Sequence, residues 1–394
     1  MHKKQIAVIS PAKFPGKAGD TANYSEIINQ LSAEGFQVSL ICPKNSDSNA
    51  KNLEISSSVK IIRIPYEPPR LKDIKNCFTA KHYLQLLLFM FLESFIVLWV
   101  LANKRIAYVL VRHNISTIQL PVIFRLLNVR VVADGELVSD SLKERFNPRI
   151  SSLLRIYEKK IIKFYTYFKV PTNSQSENLQ NFGFPKERIL TIPICINVDR
   201  IPKFSMEEIP EHTFGYFGVL ERWSGVDLLL EGFKILLKKI PTAKLFIIGE
   251  GSLKNKLQET VTINNLSSNV IFTSASREEL WHNYFRKFRI TVNPMPKQTN
   301  TMDSNLPIKV IESLAAGKPT IVMNIPYTKE IQKNALFIVS SEDSESLAYA
   351  MEKLSMDKEM MKKYAEAALS SSVNYDIRDK IKKLVPALIH GNNS

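Results

Sequence analysis

The stretch SNLPIKVIESLAAGKPTIV, residues 304–322, predicts a helix followed directly by a buried strand. Pro307 suits the first turn of a helix, and Gly317 suits its end. Lys309 and Glu312 stand three residues apart and share one helix face, whereas the second half of the helix is apolar. Because a solvent-exposed helix would carry more charges, this isolated pair predicts that the helix begins at a ligand cleft rather than in bulk water.

These two charges suit an anionic ligand that also carries hydroxyl groups. Glu312 could accept two hydrogen bonds from a ribose, as acidic residues do in dinucleotide sites. Lys309 could neutralise a phosphate. The alternative is an ion pair between the two side chains, which would contribute only about a few tenths of a kcal/mol.

Short apolar runs alternate with helical patterns on both sides of residues 200–213, which indicates βαβ units and parallel sheets. We predict an α/β fold with two doubly wound, Rossmann-like domains that face a central cleft. The N-terminal domain covers residues 1–200, and a C-terminal helix at 373–394 crosses back to it. Residues 201–213 form a linker, and residues 214–372 form the second domain.

The composition favours acidic partners in a reducing compartment. The net charge is +15, from 53 Lys and Arg against 38 Asp and Glu, and 45% of the 394 residues are hydrophobic. Cys42, Cys77 and Cys195 are widely spaced and form no CxxC motif, so we expect neither a disulfide framework nor a metal site. The apolar run Ile6–Ile9 is too short for a signal peptide and predicts a first strand. A cytoplasmic protein fits these features.

Residues 83–102, YLQLLLFMFLESFIVLWVLA, are long and apolar enough to cross a membrane. Glu93 lies inside this stretch, where an acid costs about 2.5–3.5 kcal/mol on insertion. Strand-like segments of one sheet also flank it on both sides. The sequence favours a buried or membrane-surface helix and leaves a true span open. The basic run at 143–169 is a solvated face or a patch for anionic lipid, so we expect peripheral contact with the inner membrane face.

Three glycine-containing loops follow predicted strands. In PGKAGDTANYSE, residues 15–26, Gly16 and Gly19 allow a tight turn before a helix N-terminus, which suits phosphate or a sugar hydroxyl. An ordinary loop is the alternative. In GVLERWSGVDLL, residues 218–229, Arg222 could pair with a diphosphate or be solvated.

The third of these loops is IIGEGSLKNKL, residues 247–257. Gly249 and Gly251 make a tight strand-to-helix turn there, and we include Gly249 in a donor site. No third glycine follows in the spacing of a nicotinamide site.

The order GVLERWSGVDLLLEGF, LFIIGEGSLKNKL, NVIFTSASREEL and SNLPIKVIESLAAGKPTIV resembles the family 4 glycosyltransferases of the GT-B fold. The resemblance implies a retaining transfer that needs no metal, and the chain has no Asp-x-Asp. It implies that Glu312 binds the ribose of a nucleotide-sugar and that Arg222 lies near its diphosphate. Gly16 and Gly19 would lie near the donor phosphates and the acceptor.

The sequence departs from the family pattern at several site positions. Ser304 stands where a first glutamate is usual, and Val219 and Ser224 stand where an arginine and a lysine are usual. Lys309 would supply part of the lost positive charge. Asp134 stands where a histidine is often found, so we assign Asp134, Arg222 and Lys309 to the catalytic set.

Two functions remain open after these departures. The first is sugar transfer from a nucleotide-sugar co-substrate, with no other cofactor, to a glycan or lipid-linked acceptor in surface polysaccharide synthesis. The second is a catalytically silent GT-B protein that binds a partner or a membrane surface. Nucleic-acid binding is not expected, because no RNP-like, zinc or helix-turn-helix signature is present.

Overall fold

The computed structural model describes residues 4–14, 19–44, 55–69, 78–141, 147–297, 306–332 and 334–389. The chain divides into two compact units. Unit 1 contains Met1–Pro193 and Ile377–Ser394, and unit 2 contains Ile194–Asp376. Each unit is a parallel sheet with helices around it, which confirms the predicted class of two doubly wound domains.

Unit 1 is built on a sheet in which all pairs are parallel. Its strands in the described residues are β1 (Gln5–Ile9), β2 (Gln37–Pro43), β3 (Lys60–Ile64), β4 (Tyr108–His113), β5 (Arg130–Gly135), β6 (Tyr167–Val170) and β7 (Ile189–Thr191). Their order across the sheet is β3-β2-β1-β4-β5-β6-β7. The chain adds β2 and β3 on one side of β1 and then β4 to β7 on the other side, so the strand order switches between β1 and β4. Such a switch point opens a crevice at the carboxyl ends of the strands.

The helices of unit 1 cover this sheet. They are α1 (Gly19–Ala33), α2 (Ala80–Lys104), α3 (Leu120–Leu126), α4 (Val138–Ser141), α5 (Pro148–Ile161), α6 (Asn173–Asn181) and α13 (Ile377–Ile389). The last of these packs against α1 and β5, and the Arg130 guanidinium donates a hydrogen bond to the carbonyl of Ile389. The C-terminal helix thus belongs to unit 1 although unit 2 precedes it in the chain.

Helix α2 packs one face onto unit 1. Leu86, Phe89, Glu93 and Val97 on that face are at most 5% exposed, and they recur at helical spacing. In the described residues α2 is the one helix long and apolar enough to cross a membrane. Its most apolar 18 residues have a mean hydropathy of 2.3, and 33% of them are buried. The acid that made a span costly in the sequence therefore lies inside the protein.

Unit 2 repeats the same architecture. Its strands are β8 (Thr213–Phe217), β9 (Lys244–Ile248), β10 (Val270–Thr273), β11 (Ile290–Asn293), β12 (Thr320–Met323) and β13 (Phe337–Val339). Their order is β10-β9-β8-β11-β12-β13, so the switch point lies between β8 and β11. Its helices are α7 (Val226–Leu237), α8 (Lys254–Ile263), α9 (Arg277–Glu279), α10 (Ile308–Ala315), α11 (Ser344–Met356) and α12 (Lys358–Ser372).

The stretch that the sequence suggests as a linker is packed into unit 2. Ile201 and Ile209 are 2% and 1% exposed, and Ile201 joins the core cluster that includes Trp281. A free linker would leave such side chains in water. Cys42 and Cys195 are buried free thiols, while Cys77 lies outside the described residues.

Candidate functional site

Helix α10 begins directly after Pro307 and ends where Gly317 takes a positive φ of 67°. Val310, Ile311 and Leu314 are at most 1% exposed and pack into the core of unit 2. This apolar face anchors the helix, so its first turn is held rigidly beside the carboxyl end of β8. The predicted helix over this stretch is present.

Lys309 lies in that first turn. Its Nζ lies 4.7 Å from the centroid of the Tyr216 ring, and a Cβ placed on Gly218 would lie 3.6 Å from it. The side chain is half-buried, and desolvation lowers the pKa of Lys309 to about 7. Within the described ranges no carboxylate forms an ion pair with Lys309. Its environment therefore suits an anion that would restore the charge.

Glu312 lies one turn further along α10 and is 3% exposed. Its Oε1 accepts hydrogen bonds from Arg277 Nε at 2.7 Å and Trp281 Nε1 at 3.3 Å. The described residues give Oε2 no hydrogen bond. The alternative of an ion pair with Lys309 is wrong, because Arg277 takes that place. Glu312 is thus fixed through one oxygen and offers the other to a ligand.

The partners of Glu312 come from a short segment with its own N-terminal cap. The Ser276 hydroxyl accepts from Glu279 N, and the Glu279 carboxylate accepts from Ser276 N, which starts α9 at Arg277. Trp281 follows four residues later, in a π-helical turn at Leu280–Tyr284, and so shares a face with Arg277. The Arg277 guanidinium also lies 4.8 Å from the centroid of the Trp281 ring. Sequence reasoning missed both residues, because only the fold brings them to Glu312.

Gly249 and Gly218 lie where the loops after β9 and β8 touch. A Cβ on Gly249 would lie 1.9 Å from the Gly218 carbonyl oxygen. The two loops are also joined by hydrogen bonds from Gly218 N to Ile248 O and from Leu220 N to Glu250 O, at 3.0 and 2.9 Å. This close approach by itself requires glycine at 249. The donor contact assigned to Gly249 stays a prediction.

Arg222 lies in a short 3-10 turn, Arg222–Ser224, and is exposed. Neither a hydrogen bond nor an ion pair joins it to another described residue. The next segment is fixed by Gly225, whose φ is 71° and whose Cβ position would lie 2.1 Å from the Pro294 carbonyl oxygen. The structure therefore presents a solvated arginine on a firmly seated loop, and its diphosphate role stays a prediction.

In unit 1, Asp134 is the penultimate residue of β5 and forms a buried ion pair. Its Oδ1 lies 2.8 Å from Lys169 Nζ, and its Oδ2 lies 3.9 Å from the Arg112 guanidinium. Burial alone would raise the pKa of Asp134, but these two cations outweigh it and lower the pKa below its usual range. Such a carboxylate is a weak base, and its catalytic assignment stays a prediction. Gly19 begins α1, while Gly16 and Ser304 lie outside the described residues.

A second buried group, at the end of β4, was not found from the sequence. His113 Nε2 lies 2.8 Å from Glu158 Oε1, and His113 Nδ1 lies 3.0 Å from the Tyr165 hydroxyl. Glu158 also accepts from the backbone N of Val138 and Ser139, at 2.6 and 2.9 Å. The carboxylate thus satisfies the first N–H groups of α4. The position of His113 at the end of the run AYVLVRH was the available signal.

Comparisons with known proteins agree on one family. The family model "Glycosyltransferase Family 4" matches residues 24–200, and "Glycosyl transferases group 1" matches residues 199–370. An uncharacterized glycosyltransferase of Methanocaldococcus jannaschii is 28% identical over 194 residues, which are 45% of this chain and 46% of that protein.

A poly(ribitol-phosphate) alpha-N-acetylglucosaminyltransferase of Staphylococcus aureus is 26% identical over 162 residues, or 40% of this chain and 30% of that protein. The chain spans about half the length of the first curated relatives it matches. The structure of HepE from Anabaena in complex with UDP and glucose superposes with a TM-score of 0.71 at 14% identity. That match covers 99% of this chain and 100% of HepE, and it shows that the fold is shared.

Proposed function

Because the chain belongs to the glycosyltransferases of the GT-B fold, we propose that it moves a sugar from a nucleotide-sugar to a hydroxyl group of an acceptor. One observation carries the proposal. The first turns of α10 present an uncompensated, half-buried cation, Lys309, and a fixed carboxylate, Glu312, whose Oε2 takes no bond from the described residues. Diphosphate and ribose hydroxyl are the complementary groups.

Each residue has a distinct part in the proposed reaction. Lys309 Nζ binds the diphosphate and stabilises its growing negative charge as the bond to the sugar breaks and an oxocarbenium-like centre develops. Glu312 Oε2 accepts a hydrogen bond from a ribose hydroxyl and so holds the nucleotide in position. The backbone around Gly218 and Gly249, tied together by hydrogen bonds, keeps this end of the sheet rigid.

We also propose that the transfer retains the configuration of the sugar, needs no metal and serves surface polysaccharide synthesis. The family resemblance supports the first two. The Staphylococcus aureus relative, whose name gives poly(ribitol-phosphate) as its acceptor, supports the third. The acceptor is then a glycan or lipid-linked glycan hydroxyl.

The test is transfer with a panel of UDP- and GDP-sugars, with products identified by mass spectrometry. Glu312→Gln should lower affinity for the nucleotide about 10- to 100-fold, because a charged hydrogen-bond acceptor contributes about 1.5–3 kcal/mol. EDTA should leave the wild-type rate unchanged. Binding without any transfer would instead favour the catalytically silent protein, and absence of binding would refute the assigned site.

Arg277 should act as a positioning residue for Glu312. Arg277→Gln removes the charged partner of Oε1, so we expect KM for the nucleotide-sugar to rise about tenfold while kcat changes less than threefold. Arg286→Gln, a change at an exposed arginine of the same unit, is the control. A loss in kcat with unchanged KM would show that Arg277 does not act through nucleotide binding.

A further inference from the structure

The second face of α2 is apolar and exposed. Large hydrophobic residues there are 42–70% exposed: Leu84, Leu87, Leu88, Phe91, Phe95, Leu98 and Trp99. At about 100° per residue, these positions fall within an arc of about 120°, opposite the face buried on unit 1. The exposed stripe is about 22 Å long. A stripe of this size marks an interaction surface rather than ordinary scattered exposure.

The elements next to α2 have exposed apolar side chains as well. Helix α3 packs against α2 and against the 3-10 turn Ile162–Phe164 that continues α5. These elements also expose apolar side chains: Val122 and Leu126 on α3, Ile150, Leu153 and Ile156 on α5, and Phe164. Exposed apolar side chains are thus present on α2 and on the elements that connect it to α5, all within unit 1.

The charges on the same elements have one sign. Their only carboxylates, Glu93 and Glu158, are 0% exposed. Their exposed charges are cationic: Lys81, Arg105, Arg125, Arg149, Arg155, Lys159, Lys160 and Lys163. Arg155 forms an ion pair with Asp140 of α4, whereas the other cations form no ion pair with a described residue. An apolar stripe bordered by cations complements a lipid leaflet with anionic headgroups.

The buried face of α2 fixes the orientation of this helix on unit 1. Glu93 Oε2 accepts from Gln119 at 3.1 Å, Oε1 has no partner in the described residues, and burial raises the pKa of Glu93 well above its usual range. The buried residues of α2 run from Leu86 to Leu101, so the helix is held on unit 1 along most of its length. Crossing the bilayer would carry the polar strand ends of unit 1 into hydrocarbon, which is unfavourable.

We propose that α2 lies in the plane of an anionic lipid leaflet, with the exposed stripe from Leu84 to Trp99 in the acyl region and the cations of α3 and α5 at the headgroups. Trp99 and the flanking Lys81 and Arg105 suit the interfacial depth. A second copy of the chain is a poorer occupant, because a two-fold interface would bring the same cations face to face.

Vesicle flotation of the full chain tests this surface. Wild type should float with phosphatidylcholine vesicles that contain phosphatidylglycerol. The double change Phe91→Asp with Phe95→Asp should lower vesicle partitioning about 100-fold or more, because two aspartates cannot enter the acyl region. Ile263→Asp with Met356→Asp alters two exposed apolar residues of unit 2, and it should float like wild type.

The charge and the orientation are tested separately. Lys159→Glu with Lys160→Glu should lower partitioning at least about tenfold, and alkaline carbonate should release the wild type from vesicles. Equal flotation without phosphatidylglycerol would overturn the anionic part, and resistance to carbonate would overturn the in-plane orientation. Wild type that stays at the bottom, or Phe91/Phe95 variants that still float, would overturn the proposal.

Sedimentation velocity identifies the alternative occupant. A wild-type dimer that the Phe91/Phe95 change converts to monomer, without flotation of the wild type, would assign the surface to a second copy. Flotation requires no sugar transfer, so its outcome is independent of the proposed function.

Discussion

Lys309→Met is expected to lower the affinity for the nucleotide-sugar about 10- to 100-fold at pH 6, the range for one charged hydrogen bond to a phosphate. The structure places no carboxylate of the described residues on Lys309, so the diphosphate is its best counter-ion. Lys329→Met, at an exposed lysine of the same unit, should leave affinity unchanged. Isothermal titration calorimetry at fixed ionic strength measures both.

The pH dependence of the affinity for the nucleotide-sugar tests the charge on Lys309 directly. The pKa of Lys309 is lowered to about 7, so the free side chain is charged below pH 7 and increasingly neutral above it. A bound diphosphate raises that pKa again, and binding above pH 7 must take up a proton. Affinity of the wild type should therefore fall by up to about tenfold per pH unit above 7.

Two variants separate this effect from other titrations. Lys309→Arg remains charged and should give a flat profile between pH 6 and 9. The methionine variant should also be flat, but at low affinity. The nucleotide-sugar is preferable to the free nucleotide, since its diphosphate has no proton to lose in this range. A wild-type profile that does not change between pH 6 and 9 would contradict the proposed contact.

Gly249→Ala is expected to destabilise unit 2 by more than about 3 kcal/mol, because overpacking against backbone cannot relax as a flexible side chain does. The added Cβ would lie 1.9 Å from the Gly218 carbonyl oxygen. For a domain of this size the midpoint of thermal unfolding should therefore fall by at least about 6–12 °C. Differential scanning calorimetry of the full chain measures the transition.

Gly317→Ala provides the control in the same unit. Its φ is 67°, so alanine is strained there by about 1–2 kcal/mol, and the nearest neighbour is the movable side chain of Leu369 at 3.1 Å. The fall in midpoint should be smaller than for Gly249→Ala. Were Gly249→Ala to keep its stability and lose only nucleotide affinity, the glycine would serve the ligand rather than the packing of the two loops.

The local sequence pattern was sufficient to predict the secondary structure around the site, but it was insufficient to predict the contacts of the site residues. Pro307, Gly317 and the apolar spacing between them define α10, because capping and periodicity act within one helix. The partner of Glu312 does not follow from such signals. Lys309 satisfies the i,i+3 rule, yet Arg277 and Trp281 bind the carboxylate from 35 and 31 residues away.

The sequence by itself determined the two parallel-sheet domains, because buried strands and amphipathic helices leave periods that depend only on neighbouring residues. It also determined that residues 83–102 are helical and apolar. Only the tertiary structure decided which side of that helix is buried: Glu93 faces the core with Gln119, while Phe91 and Phe95 face outward. Burial is set by what packs against a helix, and those neighbours come from distant segments whose arrangement no local period records.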